Sequence, residues 1–130
     1  MAMIGEGPGT NVLSEGMAHF STILLCEQAR GLQQRMAFCR MIEDRYGRLR
    51  RADSERPLVL LDGQLPGEDR IQYDKGGWAL WMLHQHLGAE ASRAGLKEYL
   101  ATYRDAPVGA ALENYLEIMR RHAADTTAFD

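Results

Sequence analysis

The chain has 130 residues, 45% hydrophobic and 25% charged, with a formal net charge of −3. That is the composition of one globular domain, long enough for a core but not for two. Fifteen Lys and Arg are interleaved with eighteen Asp and Glu, so the surface lacks the basic excess that non-specific nucleic-acid binding requires.

Residues 1–10 contain Gly5, Gly7, Pro8 and Gly9 and are expected to form a flexible lead-in to a single helical domain over 11–130. Ser14 reads as an N-cap with Glu15 in the first turn, where a carboxylate suits the helix dipole. Leu13, Met17, Phe20 and Leu24 then follow at helical spacing until Gly31. A second helix is predicted over 32–50, with Cys39, Ile42, Tyr46 and Leu49 as its buried stripe and Arg35, Arg40, Glu43 and Arg48 facing water. The stretch 53–72 holds Pro57, Asp62-Gly63 and Pro66-Gly67 and predicts a long ordered loop, with an extended piece at 58–61.

The most apolar segment is 71–88, which carries both tryptophans, Trp78 and Trp81. A helix hydrophobic most of the way round is expected at the centre of its domain. Its first turn is different: Tyr73, Asp74 and Lys75 precede Gly76-Gly77, where another backbone or a ligand can approach closely. Gly88 is the expected stop. A fourth helix is predicted over 90–104. Beyond Pro107, a fifth is expected to run from Val108 through Ala111, Leu112, Tyr115, Leu116 and Met119, fading after Ala124. The fold class is therefore all-α: about five helices with one long ordered loop.

Cys26 and Cys39 make neither a disulfide framework nor a C-x-x-C site, and as reduced thiols they favour a cytoplasmic segment. Neither a signal-peptide pattern nor an apolar run of membrane-spanning length is present. Among His19, His84, His86 and His122, none is three or four residues from another, so no pair shares a helix face as metal ligands would. Each is expected to be a surface or satisfied side chain. No serine sits in a nucleophile elbow, and no glycine loop has the form of a P-loop. Taken alone, Glu15 reads as a dipole or capping residue, and Tyr73 as a core phenol with a wet hydroxyl.

Taken together they read differently. The segment L-S-E-G-M-A-H-F, followed about sixty residues later by Y-D-K-G-G-W-A-L-W-M-L, resembles the aminopeptidase N family of zinc metallopeptidases, the gluzincins. The likeness covers roughly 11–88 and continues weakly through G-L-K-E-Y-L; the wording of L-S-E-G looks most like bacterial members, some of them fused to membrane permeases. The resemblance implies the helical lower half of a thermolysin-like catalytic domain acting on peptide substrates. It implies that Glu15 is a zinc ligand and that the Tyr73 hydroxyl points at the reacting carbonyl. Those residue types suit the chemistry: three protein ligands leave zinc a position for water, and a phenol protonated at neutral pH can donate to the developing oxyanion.

The departure from the family pattern is equally specific. Its remaining two ligands and general base come from H-E-x-x-H, roughly twenty residues before the glutamate. Only fourteen residues precede Glu15, and none is histidine. The expectation is a carboxyl-terminal helical part of a catalytic domain whose H-E-x-x-H lies upstream of Met1. By itself such a chain is expected to be inactive, to hold no zinc and to self-associate over apolar surface around Met17 and Trp81. The alternative is a non-catalytic helical scaffold or protein-interaction module derived from the same fold.

Overall fold

A computed structural model describes residues 4–50 and 55–130. It is all-α, with five helices: α1 Met17–Arg30, α2 Leu32–Leu49, α3 Glu68–Leu87, α4 Ala89–Tyr103 and α5 Leu112–His122. A π-helical turn, Val12–Gly16, runs directly into α1, and short 3₁₀ turns occupy Leu58–Leu60 and Thr127–Phe129. Among the described residues, no helix is long and apolar enough to cross a membrane.

The single helical domain expected over 11–130 divides into two compact units, with the boundary inside α3. One is Asn11–Trp81; the other joins the described part of the first ten residues to Met82–Asp130. In Asn11–Trp81 the core is Val12, Leu13, Phe20, Ile23, Cys39, Ile42, Leu61, Ile71, Leu80 and Trp81. α1 and α2 pack on each other through a one-residue connection at Gly31, whose φ of +83° is open to glycine at little cost. In the second unit α4 packs on α5, and Tyr99, Leu112, Tyr115, Ile118 and Met119 are buried. Tyr115 stands edge-on to Tyr99 at 5.4 Å between ring centroids. Burial pushes the Tyr115 hydroxyl well above the usual phenol range.

Several sequence expectations are revised here. The lead-in expected to be flexible is tied down in its described part, 4–10: Ile4 bridges Ala110, the Gly5 N–H donates to the Ala110 carbonyl at 2.7 Å, and the Thr10 hydroxyl donates to the Gly7 carbonyl at 2.7 Å. A β-carbon at Gly109 would fall 2.5 Å from the Gly5 nitrogen, so two backbones meet there because one has no side chain. That contact holds residues 109–110 outside the helix. Consequently α5 starts at Leu112 rather than Val108, which is 74% exposed, and the Asn114 side chain accepts the Ala111 N–H at 3.0 Å.

The long loop is shorter than predicted. Leu58–Leu60 is a 3₁₀ turn instead of an extended piece, and α3 begins at Glu68; residues 53 and 54 of the predicted loop lie outside the described residues. The early start follows from Glu68, a buried carboxylate that accepts Arg56 Nε at 2.6 Å and the Leu65 N–H at 3.3 Å. These bonds hold the Glu68 carboxyl below the usual carboxylate range, so it stays charged where the helix dipole favours it. Tyr73 therefore lies in the second turn of α3, not at its mouth.

Trp81 is 5% exposed, against the expectation of an apolar surface there. The Arg35 guanidinium, expected to face water, lies over its ring at 4.8 Å and donates to Glu27 at 2.9 Å. The long side chain covers the indole while its charged end stays paired. The large exposed apolar side chains include Leu25, Leu32 and Met36, near Gly31.

Candidate active site

The π turn carries the first candidate. Asn11 precedes it, donating through Nδ2 to the Leu61 carbonyl at 3.0 Å and to Gln72 Oε1 at 2.9 Å. This bracing starts the helical path before Ser14, so Ser14 lies inside the turn, its Oγ 3.4 Å from the Asn11 carbonyl, rather than capping it. Glu15 sits in this wider turn. Single π turns are rare overall and frequent at functional sites.

Glycines bring the second candidate to the first. A β-carbon on Gly16 would lie 2.9 Å from the Gly76 carbonyl carbon, and one on Gly76 would lie 3.1 Å from the Gly16 Cα. At the next residue, a β-carbon on Gly77 would fall 2.5 Å from the His19 Cβ and 3.3 Å from the Gly16 carbonyl oxygen. The start of α1 and the first half of α3 thus touch backbone to backbone. The glycines of E-G and of K-G-G are the contact itself.

That contact puts Tyr73 beside Glu15. The Glu15 carboxylate beside the phenol raises the Tyr73 pKa above its ordinary value, with burial acting in the same direction. Tyr73 consequently keeps its proton through neutral pH. The structure brings together the two site residues that the sequence singled out.

Three further residues surround them, none proposed from sequence. Asp74 is 1% exposed and takes a two-pronged grip from Arg45: Nε donates to Oδ2 at 2.8 Å and a terminal nitrogen donates to Oδ1 at 2.5 Å. The same terminal nitrogen is 2.9 Å from His19 Nε2, which is also 3.2 Å from Asp74 Oδ1. The His19 ring stands 5.2 Å from the Tyr73 ring and 5.7 Å from that of Phe38. The one available signal was position, since His19 is four residues after Glu15 and Asp74 adjoins Tyr73. Nothing in the spacing pointed to Arg45.

Burial lowers the His19 pKa; Asp74 opposes this, while Arg45 reinforces it. Because the folded pKa is depressed, the unfolded chain binds this proton more readily, so stability is full above about 6.5 and falls as pH drops through the folded value. The urea midpoint of the chain should decrease between pH 7 and pH 5.5, and less so in His19→Leu. Equal pH dependence in the two proteins would remove His19 as the cause.

Lys75, the remaining polar residue of Y-D-K-G, pairs with Glu55. Glu55 also accepts from the Tyr46 hydroxyl at 2.9 Å. Burial alone would raise the Glu55 pKa, but the bonds from Lys75 and Tyr46 outweigh it and hold the carboxyl below its ordinary range. Lys75 thereby pins the described end of the long loop to α2 and α3.

Gly77→Ala tests the close approach. In a free helix the change gains about 1 kcal/mol. Here the new methyl meets the His19 Cβ and the Gly16 backbone, and overpacking of about 1–3 kcal/mol opposes it. A lower urea midpoint, read by tryptophan fluorescence, is the expected result. A raised midpoint would contradict the contact.

No group of three His, Cys, Asp or Glu among the described residues has the geometry to hold an ion. His19 Nε2 is turned to Asp74 and Arg45. No family model, curated protein or solved structure matches this chain.

Proposed function

We propose that Asn11–Trp81 is the helical part of a zinc metallopeptidase catalytic domain resembling the aminopeptidase N family. In this reading Glu15 is one metal ligand and Tyr73 donates a hydrogen bond to the carbonyl oxygen of a peptide under attack. The observation that carries it is the meeting of Glu15 and Tyr73 across the Gly16–Gly76 contact. Two motifs distant in sequence converge on one point, and the residue types are those the chemistry uses.

The roles of this chain's residues follow from their chemistry. Tyr73 remains protonated at neutral pH and so is a donor, not a base. A donor directed at developing negative charge, on a helix held by glycine contact, stabilises that charge without first having to reorganise. Glu15, on a helical start braced by Asn11, offers a carboxylate in fixed position. The histidine pair and the general base belong to H-E-x-x-H, which the proposal assigns to chain outside these 130 residues.

Reading the coding frame upstream of Met1 tests this directly. H-E-x-x-H encoded within a few dozen codons is the expected result; its absence over that span would leave only the non-catalytic helical scaffold. In a parent that carries it, Glu15→Ala should release zinc, measured by metal analysis of the purified protein. Full zinc occupancy in that variant would remove Glu15 from the ligand set.

A further inference from the structure

Whether Tyr73 can act depends on where its ring is held, and the Glu15 carboxylate acts only on the hydroxyl end. The other constraint is His19. Its ring lies against that of Tyr73 at 5.2 Å with a 52° tilt, and Phe38 stands at 5.7 Å from the same imidazole. The imidazole is itself anchored. The terminal nitrogen of Arg45 lies 2.9 Å from Nε2, and Asp74 Oδ1 lies 3.2 Å from the same Nε2. Arg45 is in turn fixed by its two bonds to the buried Asp74, the residue after Tyr73. The chain of contacts closes on itself: Tyr73, its neighbour Asp74, Arg45 of α2, His19 of α1, and back to the Tyr73 ring.

We infer that His19 is the positioning residue for Tyr73, a ring wedge locked by Arg45 and Asp74 that sets the direction of the phenol beside Glu15. Its importance for catalysis rests on the reading of Tyr73 given above; its effect on the Tyr73 side chain does not. Removing His19 leaves Asp74 paired with Arg45, so no charge is stranded and the unit should keep its fold.

The test uses nuclear Overhauser contacts between the Tyr73 ring and the Glu15 methylenes in the isotopically labelled 130-residue chain. His19→Leu, which keeps apolar volume but has no ring, should weaken these contacts several-fold while those between Arg35 and Trp81 persist. His19→Phe, which restores a ring, should recover them. Contacts at wild-type strength in His19→Leu would overturn the inference, as would a failure of His19→Phe to recover them. Should His19→Leu disturb the Arg35–Trp81 contacts, the same comparison is made between His19→Gln and His19→Phe. In a parent carrying H-E-x-x-H, His19→Leu should lower kcat on the order of ten- to a hundredfold at unchanged KM, the scale set by a small misplacement, with recovery in His19→Phe. A wild-type parent without peptidase activity would overturn the proposed function while the contact measurements still decide the role of His19.

Discussion

Tyr73→Phe in a parent protein carrying H-E-x-x-H should lower kcat on the order of 10²–10³-fold, the usual loss when one oxyanion donor is removed. KM and zinc content should stay close to those of the wild type. The substitution deletes one oxygen and keeps the ring, so the packing against His19 survives. The lost oxygen is the one whose pKa the neighbouring Glu15 carboxylate raises. Glu15 remains a carboxylate able to ligate metal, which is why occupancy should hold. A donor that acts mainly on the transition state affects kcat, and one that binds substrate equally well in both states affects KM. Steady-state kinetics with parallel metal analysis separates the two. Turnover within about twofold of wild type would take Tyr73 out of the mechanism, because no oxyanion contact of this kind is worth so little.

The largest stability effect is expected at Asp74. Asp74→Ala should destabilise the chain by about 2–4 kcal/mol. Removing one member of a buried ion pair costs about 3–5 kcal/mol because the other charge is left without a partner. The lower figure is used because the Arg45 side chain is 31% exposed and regains some water. Replacing both, as Arg45→Met with Asp74→Leu, should cost less than the single change, since no charge is then stranded. Urea unfolding followed by fluorescence reports on the relevant unit, because Trp78 and Trp81 both belong to Asn11–Trp81. A loss below about 0.5 kcal/mol, the scale of ordinary surface substitutions, would show that the Arg45 grip contributes little. A double variant as unstable as the single one would show that shape, not charge, is what Asp74 supplies.

Much of the fold was legible from periodicity. Met17, Phe20 and Leu24 announced α1, Cys39 and Ile42 announced α2, and Tyr115 and Met119 announced α5. Gly31 and Gly88 were read as helix ends, and both have φ near +80°. Such signals are local, because each depends on residues three or four apart along one helix. The starts of helices were read less well. Those of α3 and α5 depend on Arg56 bonding Glu68 and on Gly5 meeting Ala110, contacts that no local spacing encodes.

The same division holds at the site. The sequence by itself determined an all-helical chain and singled out Glu15 and Tyr73, each followed by glycine within three residues. It supplied the glycines without saying that they meet. Only the tertiary structure decided that Gly16 and Gly76 touch, that the phenol therefore lies beside the carboxylate, and that Arg45, Asp74 and His19 close around them. The physical reason is the nature of each signal. A helix follows from interactions within one turn of the chain, whereas a site follows from which faces pack together. That choice rests on missing side chains and buried charges far apart in sequence.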